Sequence, residues 1–292
     1  MITAEFEYVR AASVDHAIGE LRNGGGDTRL LAGGHSLIPL MKLRLARPKR
    51  LVDIRFIAGL NTIQRSNGTL SIGPLVTHHM LATSDVVRQG AALLGEAAAH
   101  IGDVQVRNAG TLGGSLAHAD PAGDLPAAAL ALGAVLHAQG PNGPRTIPAE
   151  HFFVDLLTTA LTTDEMLIGI DVPAPAGRVG SAYVKFENPA SHYALVGVAA
   201  WFQLAVDGTV SAARIGITGV APRPFRALEA EAALVGQPPT GPVVGAAAAR
   251  AVDGHAHELN SDLHASSDYR AHLAEVLTRR ALETARARAE AG

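Results

Sequence analysis

Two short stretches carry the residue types that hold or transform small molecules. Residues 32–36 read Ala-Gly-Gly-His-Ser and residues 111–115 read Thr-Leu-Gly-Gly-Ser. Each sets a double glycine and a serine between apolar segments, and three readings fit. A nucleophile elbow needs G-x-S-x-G on a strained strand-to-helix turn. The run GHSLI at 34–38 lacks the second glycine, and GGSLA at 113–117 has alanine there. The duplication also argues against it, because a triad uses one nucleophile. A phosphate cradle needs backbone N–H groups turned toward an anion, which glycine permits, and gains from a nearby hydroxyl. Both stretches have that chemistry, and two such loops suit two linked phosphates. Neither the P-loop pattern nor G-x-G-x-x-G occurs. The third reading is two glycine turns capped by serines.

Other candidate groups carry less. His78-His79 and His255-Ala256-His257 lack a third ligand and the H-E-x-x-H spacing, so no metal site is expected. Lys42, Arg44, Arg47, Lys49 and Arg50 form a local basic cluster. It reads as a solvated face, or as a surface for an acidic partner or for phosphates.

Composition narrows the classes. The 292 residues include 48% hydrophobic and 17% charged residues, which supports a packed core and argues against disorder. A net charge of −3 and 4% aromatics give neither the basic field nor the stacking surface of a nucleic-acid binder. With no cysteine, the chain cannot form disulfides, ligate an iron–sulfur cluster through thiolates or use a thiol nucleophile. The start MITAEFEYVR lacks the pattern of a signal peptide. The longest uncharged apolar run, 193–206, is about 14 residues and rich in β-branched and aromatic types, so it reads as a buried strand rather than a membrane span. A cytoplasmic protein is expected.

The elements that must position the loops can be read in order. Ser13 caps a helix over 13–22 whose Val14, Ala17, Ile18 and Leu21 form one stripe. A strand at 28–32 enters the first loop, Ser36 caps a helix, and 50–54 is a strand. Strand 69–73, a helix begun by Thr77 and a helix over 89–100 follow. Residues 103–108 read as a short polar segment, 124–132 as a helix, and 134–138 and 165–172 as strands. The Pro- and Gly-rich stretch 173–181 marks a boundary or bend. Beyond it, strands at 181–187, 193–206 and 209–218, the last two joined by Asp207-Gly208, predict a three-stranded antiparallel sheet. Helices at 225–235, 243–251 and 268–289 complete the pattern.

Taken together, AGGHS at 32–36, TLGGS at 111–115, HSLIPLMKLRLARP at 35–48, GDVQVRNAGTLGGSLAHADPAGDLPAA at 102–128, DEMLIGIDVP at 164–173 and YVKFENPASHYALVGVAA at 183–200 resemble the FAD-binding medium subunit of the molybdenum hydroxylases. The resemblance is strongest to the carbon monoxide dehydrogenase type, and it runs through nearly the whole chain. It implies an α+β fold: a flavin domain of the vanillyl-alcohol oxidase (PCMH) type at 1–176, with subdomains at about 1–57 and 58–176. A C-terminal domain with a three-stranded sheet and helices would occupy 177–292.

The resemblance also implies a site. Ala32, Gly33, Gly34, His35 and Ser36 match the first diphosphate loop, flanked by Leu30, Leu31 and Leu37. Gly110, Thr111, Gly114 and Ser115 match the second. Ile101 packs beside the cofactor; Ala117, Gly123 and Asp124 lie near the ribityl chain and ring; Leu167 forms an apolar wall. Lys185 contacts the cofactor and Tyr193 shields a ring face, and these two are the residues expected to act in the chemistry. A cation such as Lys185 near N1 would raise the potential of a flavin. Read without the resemblance, Lys185 is a solvated strand lysine, Asp124 a helix cap and Tyr193 a core tyrosine.

The activity implied is electron transfer. A small subunit with two [2Fe-2S] clusters and a large subunit with the molybdenum cofactor would complete a dimer of heterotrimers, and FAD would pass electrons to a quinone or another acceptor. Carbon monoxide, an aldehyde and an N-heterocycle all fit as substrate. The other classes are a stand-alone flavin oxidoreductase, a serine hydrolase using Ser36 or Ser115, and a non-catalytic binding module.

Overall fold

A computed structural model describes residues 2–291. The chain opens with β1 (Glu7–Arg10), α1 (Val14–Asn23), β2 (Thr28–Leu31), α2 (Leu37–Lys42) and β3 (Arg50–Asp53). β3 pairs in parallel with both β1 and β2. Parallel neighbours need crossovers, and α1 and α2 supply them. The Ser13 hydroxyl accepts from the His16 amide to start α1, which buries Ala17, Ile18 and Leu21.

A five-stranded antiparallel sheet follows, in the order β4-β5-β10-β6-β7. Its strands are β4 (Ile63–Ser66), β5 (Thr69–Ile72), β6 (Val135–Gly140), β7 (Gly143–Pro148) and β10 (Met166–Pro173). Six helices lie between β5 and β6: α3 (His78–Thr83), α4 (Asp85–Gly90), α5 (Ala92–Ala99), α6 (Val104–Ala109), α7 (Leu112–His118) and α8 (Asp124–Leu132). A short hairpin of β8 (Phe153–Asp155) and β9 (Thr158–Thr159) precedes β10. Two expectations are corrected here. The helix read over 89–100 is two helices, because Ala91 leaves helical geometry at φ −156° and ψ 57°. The polar segment 103–108 is α6, started by the Asp103 carboxylate accepting from the Val106 amide.

The last part is antiparallel. β11 (Arg178–Glu187), β12 (Ala194–Leu204) and β13 (Val210–Thr218) form the three long strands, and the two-residue β14 (Phe225–Arg226) adds a fourth. Gly208, at φ +85°, supplies the positive φ of the turn between β12 and β13. α9 (Leu228–Leu234), α10 (Gly241–Ala248) and α11 (Ser267–Ala291) follow. α11 crosses β11 closely: a Cβ at Gly180 would lie 1.8 Å from the Ala285 carbonyl oxygen. Among the described residues no helix is long and apolar enough to cross a membrane.

α8 is the hinge of the packing. All nine of its residues are buried. It touches β12 and β13 on one side and α5 and α7 on the other. A Cβ at Gly216 of β13 would come 2.1 Å from the Ala127 carbonyl oxygen. Alanine on α8 and glycine on β13 are what permit that approach. The consequence for function is positional: α8 presents its first residue, Asp124, beside the glycine loops.

Candidate FAD site

The first loop leaves β2 at Leu31. Gly34 adopts φ +75°, a left-handed conformation that other residues rarely accept. Gly33 is required for a different reason. A Cβ there would lie 2.3 Å from the Ala109 carbonyl oxygen and 2.7 Å from the Gly110 Cα. The first loop therefore lies directly on the backbone that leads into the second.

The second double glycine is not a turn. Gly113 and Gly114 lie in the first turn of α7, which Thr111 caps by accepting from the Gly114 amide at 3.1 Å. Gly113 rests on Pro74, where a Cβ would sit 2.4 Å from the proline Cβ. The segment below is clamped to it. Leu112 donates to Val76, Gly113 to Pro74 and His78 to the Gly110 carbonyl, all at 2.9–3.0 Å. Neither serine caps a helix: Ser36 precedes α2 without a side-chain capping bond, and Ser115 lies inside α7.

This makes the cradle asymmetric. Among the described residues, the amides of Gly33, Gly34, His35 and Ser36 have no hydrogen-bond acceptor, so they are free for an anion. The amides of residues 112–115 are all engaged, by Val76, Pro74 and Thr111. Residues 112–115 therefore offer no free N–H group, and their contribution, with Thr111, is the hydroxyls of Thr111 and Ser115.

Both loops open onto one cavity of about 590 Å³. Its lining includes Leu30, Ala32, Gly33, Gly34, His35, Ser36 and Leu37 from the first loop and its flanks. Gly110, Thr111, Gly114, Ser115 and Ala117 line it from the second, with Ile101, Gly123, Asp124, Leu167 and Tyr193 beyond. Two expected residues do not line it. Leu31 packs beneath Gly34 and its carbonyl accepts from the Ile54 amide. Lys185 stands behind Asp124. Sequence reasoning missed His78, Pro74, Met166, Asp120 and His192 in the wall. Of the readings of the basic cluster at 42–50, the one for phosphates in this cavity falls: Arg50 pairs with Glu7 and Glu20, Lys49 with Asp27, and none of the five lines the cavity.

Asp124 is the one buried carboxylate of the wall. The Tyr183 phenol donates to its Oδ1 at 2.5 Å, and Lys185 Nζ lies 3.0 and 3.1 Å from its two oxygens. The lysine also donates to the His100 carbonyl at 2.8 Å. Its side chain is 1% exposed, which removes the solvated-lysine reading. Asp124 begins α8 without capping it, so the cap reading falls too. Burial pushes the Asp124 carboxyl upward, while Lys185 and Tyr183 pull it down. Burial and the adjacent Asp124 charge hold the Tyr183 phenol protonated well above its usual range. Tyr183 sits two residues from Lys185 on β11, so the two side chains share a face. That spacing is the signal that could have found it.

Tyr193 closes the other side. Asn188 holds its loop, donating from its amide to the Tyr193 carbonyl and accepting from His192, each at 2.8 Å. Its phenol is pushed up by burial and then by Asp120 and Asp124. At the loop end, His78 is 5% exposed and its Nδ1 has no hydrogen-bond partner. Burial, with His35 nearby, lowers its pKa to about 4.

A hydrolase is not assembled. Among the described residues, no hydrogen bond joins Ser36 or Ser115 to a histidine. The serine, aspartate and histidine that do meet, Ser71, Asp171 and His137, put the carboxylate in the middle, at 2.6 and 2.9 Å, where a triad needs the imidazole.

The donor set fits FAD: four free amides and two hydroxyls for a diphosphate, an orphaned imidazole beside them, a fixed carboxylate, and apolar walls at Ile101, Met166 and Leu167. The family described as "FAD binding domain in molybdopterin dehydrogenase" matches residues 4–175, and "CO dehydrogenase flavoprotein C-terminal domain" matches 181–285. The chain belongs to the FAD-binding flavoprotein family of the molybdopterin dehydrogenases.

As a flavoprotein oxidoreductase subunit it has near-full-length relatives. The carbon monoxide dehydrogenase medium chain of Hydrogenophaga pseudoflava is 40% identical, over 99% of each chain. The 6-hydroxypseudooxynicotine dehydrogenase complex subunit alpha of Paenarthrobacter nicotinovorans is 39% identical, over 97% of this flavoprotein and 95% of that one. The solved carbon monoxide dehydrogenase from Hydrogenophaga pseudoflava that lacks the Mo-pyranopterin moiety superimposes with a TM-score of 0.95, covering 99% of both chains at 43% identity.

Proposed function

We propose that this flavoprotein is the electron-transfer subunit of a heterotrimeric molybdenum hydroxylase, receiving electrons from [2Fe-2S] clusters on a small subunit and delivering them to a quinone or another external acceptor. A large subunit holds the molybdenum cofactor, two heterotrimers associate, and the complex works in the cytoplasm. The observation that carries this reading is the single cavity that joins both glycine loops to Asp124, Leu167 and Tyr193. The lack of cysteine supports the division of labour, since the clusters need thiolates from another chain. The flavin domain is assigned to 1–176, with subdomains 1–57 and 58–176, and the C-terminal domain to 177–292. The two family matches and the separation of the three main sheets support these limits.

Bound FAD would supply a carrier that takes up electrons singly and releases them one or two at a time. The chain's residues do the rest. The amides of Gly33–Ser36 and the hydroxyls of Thr111 and Ser115 hold the diphosphate. Leu167 and Tyr193 cover the ring and keep water from it. Asp124 accepts hydrogen bonds from ring or ribityl donors, in an orientation set by Tyr183 and Lys185. Because Lys185 is paired with Asp124, its charge is largely neutralised at the ring, and it acts by holding the carboxylate rather than as a free cation.

The relatives act on unlike substrates, carbon monoxide in one name and a nicotine derivative in another, at nearly equal identity. Substrate choice therefore lies outside this chain, in the molybdenum subunit. The test is spectral: purify the chain, and the complex if partners co-purify, incubate with FAD, desalt and scan. A stoichiometric flavin spectrum is expected, reduced in the complex by the substrate. A chain and complex that both stay colourless overturn the reading.

A further inference from the structure

His78 is a polar group without a purpose in the fold alone. It is the first residue of α3, held there by Thr77 capping the helix and by its own amide donating to the Gly110 carbonyl at 3.0 Å. Its imidazole lines the cavity where the two glycine loops meet. A Cβ on Gly110 would lie 2.6 Å from its Nε2, so the absence of a side chain at 110 is what gives the ring its room. The Nδ1 is buried with no partner. A buried polar atom left unpaired costs about 1–3 kcal/mol and calls for an explanation, a bound ion being one.

The charged surroundings are sparse. His35, on the first loop, is the titratable group that faces His78. The elements packed on α3 commit their charges elsewhere. Glu96 of α5 pairs with Arg288, Arg107 of α6 donates to the Ile101 and Gly102 carbonyls, and Asp85 of α4 pairs with Arg88. His79 on the same helix is exposed. Among the described residues no carboxylate pairs with His78. An anion entering between the loops would be the first.

We infer that His78 binds the diphosphate of the cofactor as an imidazolium, taking one proton from solvent as the diphosphate enters. This rests on the FAD reading above. The sign follows from the free state. His78 is neutral there, with its pKa held near 4 by burial. A dianion beside it favours the charged form and raises that pKa. FAD binding is then tighter at lower pH. The free diphosphate, adenine and isoalloxazine do not titrate between about pH 6 and 8, which leaves histidine as the group that can.

The experiment measures FAD affinity of the full chain by titration calorimetry between about pH 6 and 8, in two buffers of different ionisation enthalpy, for wild type, His78→Gln, His78→Asn and His35→Gln. Wild type is expected to take up as much as one proton per FAD and to weaken by up to about tenfold per pH unit as pH rises. Both His78 variants, if they melt as wild type does, lose that uptake and bind FAD with a flat pH profile. Riboflavin, which has no phosphate, gives a flat profile with every chain. Proton uptake that persists in both His78 variants and vanishes in His35→Gln overturns the inference, as does a wild type that binds FAD with no pH dependence. Failure of a folded wild type to bind FAD at any pH overturns the site assignment itself, and this inference with it.

Discussion

The Tyr183 phenol and the Asp124 carboxylate, 2.5 Å apart, join β11 to the first residue of α8 inside the protein. The contact is between the C-terminal sheet and the wall of the flavin cavity. Tyr183 itself lies outside the cavity, so its influence passes through Asp124.

Removing the phenol therefore has a defined effect. Tyr183→Phe deletes a buried hydrogen bond to a charged group, worth about 1.5–3 kcal/mol. A denaturant melt is expected to show a loss in that range. FAD should bind more weakly in parallel, as Asp124 gains freedom. Unchanged stability together with unchanged affinity would remove Tyr183 from the site's support.

Lys185 gives a stronger and more diagnostic result. Lys185→Met strands a buried carboxylate, at a cost of about 3–5 kcal/mol. Replacing both partners, Lys185→Met with Asp124→Asn, leaves no uncompensated charge and should be milder than Lys185→Met alone. A double-mutant cycle on stability measures the coupling. Additive effects would show that the two groups do not act as a pair.

The glycines should rank by what a Cβ would strike. Gly33→Ala meets backbone at 2.3 Å and must part the two loops, at about 1–3 kcal/mol. Gly34→Ala is strained by its positive φ, at about 1–2 kcal/mol. Gly114→Ala meets only the movable Thr111 hydroxyl and puts at risk a cap worth about 1 kcal/mol. Flavin retained after desalting should fall in that order, least for Gly114→Ala.

The serines should differ as the cradle does. Ser115→Ala removes a principal donor of the second loop, whereas Ser36→Ala leaves four free amides on the first. A hydrogen bond to a charged group is worth about 1.5–3 kcal/mol, so Ser115→Ala should weaken FAD roughly tenfold or more, and Ser36→Ala less. Fluorescence titration with FAD reads both. Equal losses would refute the asymmetry.

Acid should weaken the tie that holds the strand bearing Met166 and Leu167. Arg145 and the Thr162 amide hold Glu165 with its pKa near 2, from an ordinary 4.5. Glu165 precedes Met166 and Leu167, which line the cavity. A depressed carboxylate contributes stability that is present above about 4.5 and lost as pH falls toward about 2. Arg145 is close to half exposed, so solvent screening keeps the contribution below the full shift. Melts of wild type and Glu165→Gln should converge over that window, and a constant gap between them would refute the assignment.

Much of this arrangement was legible in the chain. Glycine and serine spacing marked both loops, Asp207-Gly208 marked the hairpin, and the family resemblance pointed to Asp124, Leu167 and Tyr193, which line one cavity, and to Lys185, which stands behind Asp124. What was missed has physical reasons. Ala91 breaks a helix through its backbone alone, with only Gly90 beside it as a hint. β14 is too short to show a period. His78 was set aside with His79 as an ordinary histidine, because nothing local says that Gly110 leaves space beside its ring. The free or engaged state of an amide depends on partners such as Pro74 and Val76, which adjoin α7 only after folding.

The contact of Gly33 with the 109–110 backbone has one more consequence. The two segments are distant in sequence, one following β2 and the other joining α6 to α7, so the cradle exists only once the chain has brought them together. Yellow colour in a lysate would then report that the two segments have met in the folded chain, before any assay of turnover.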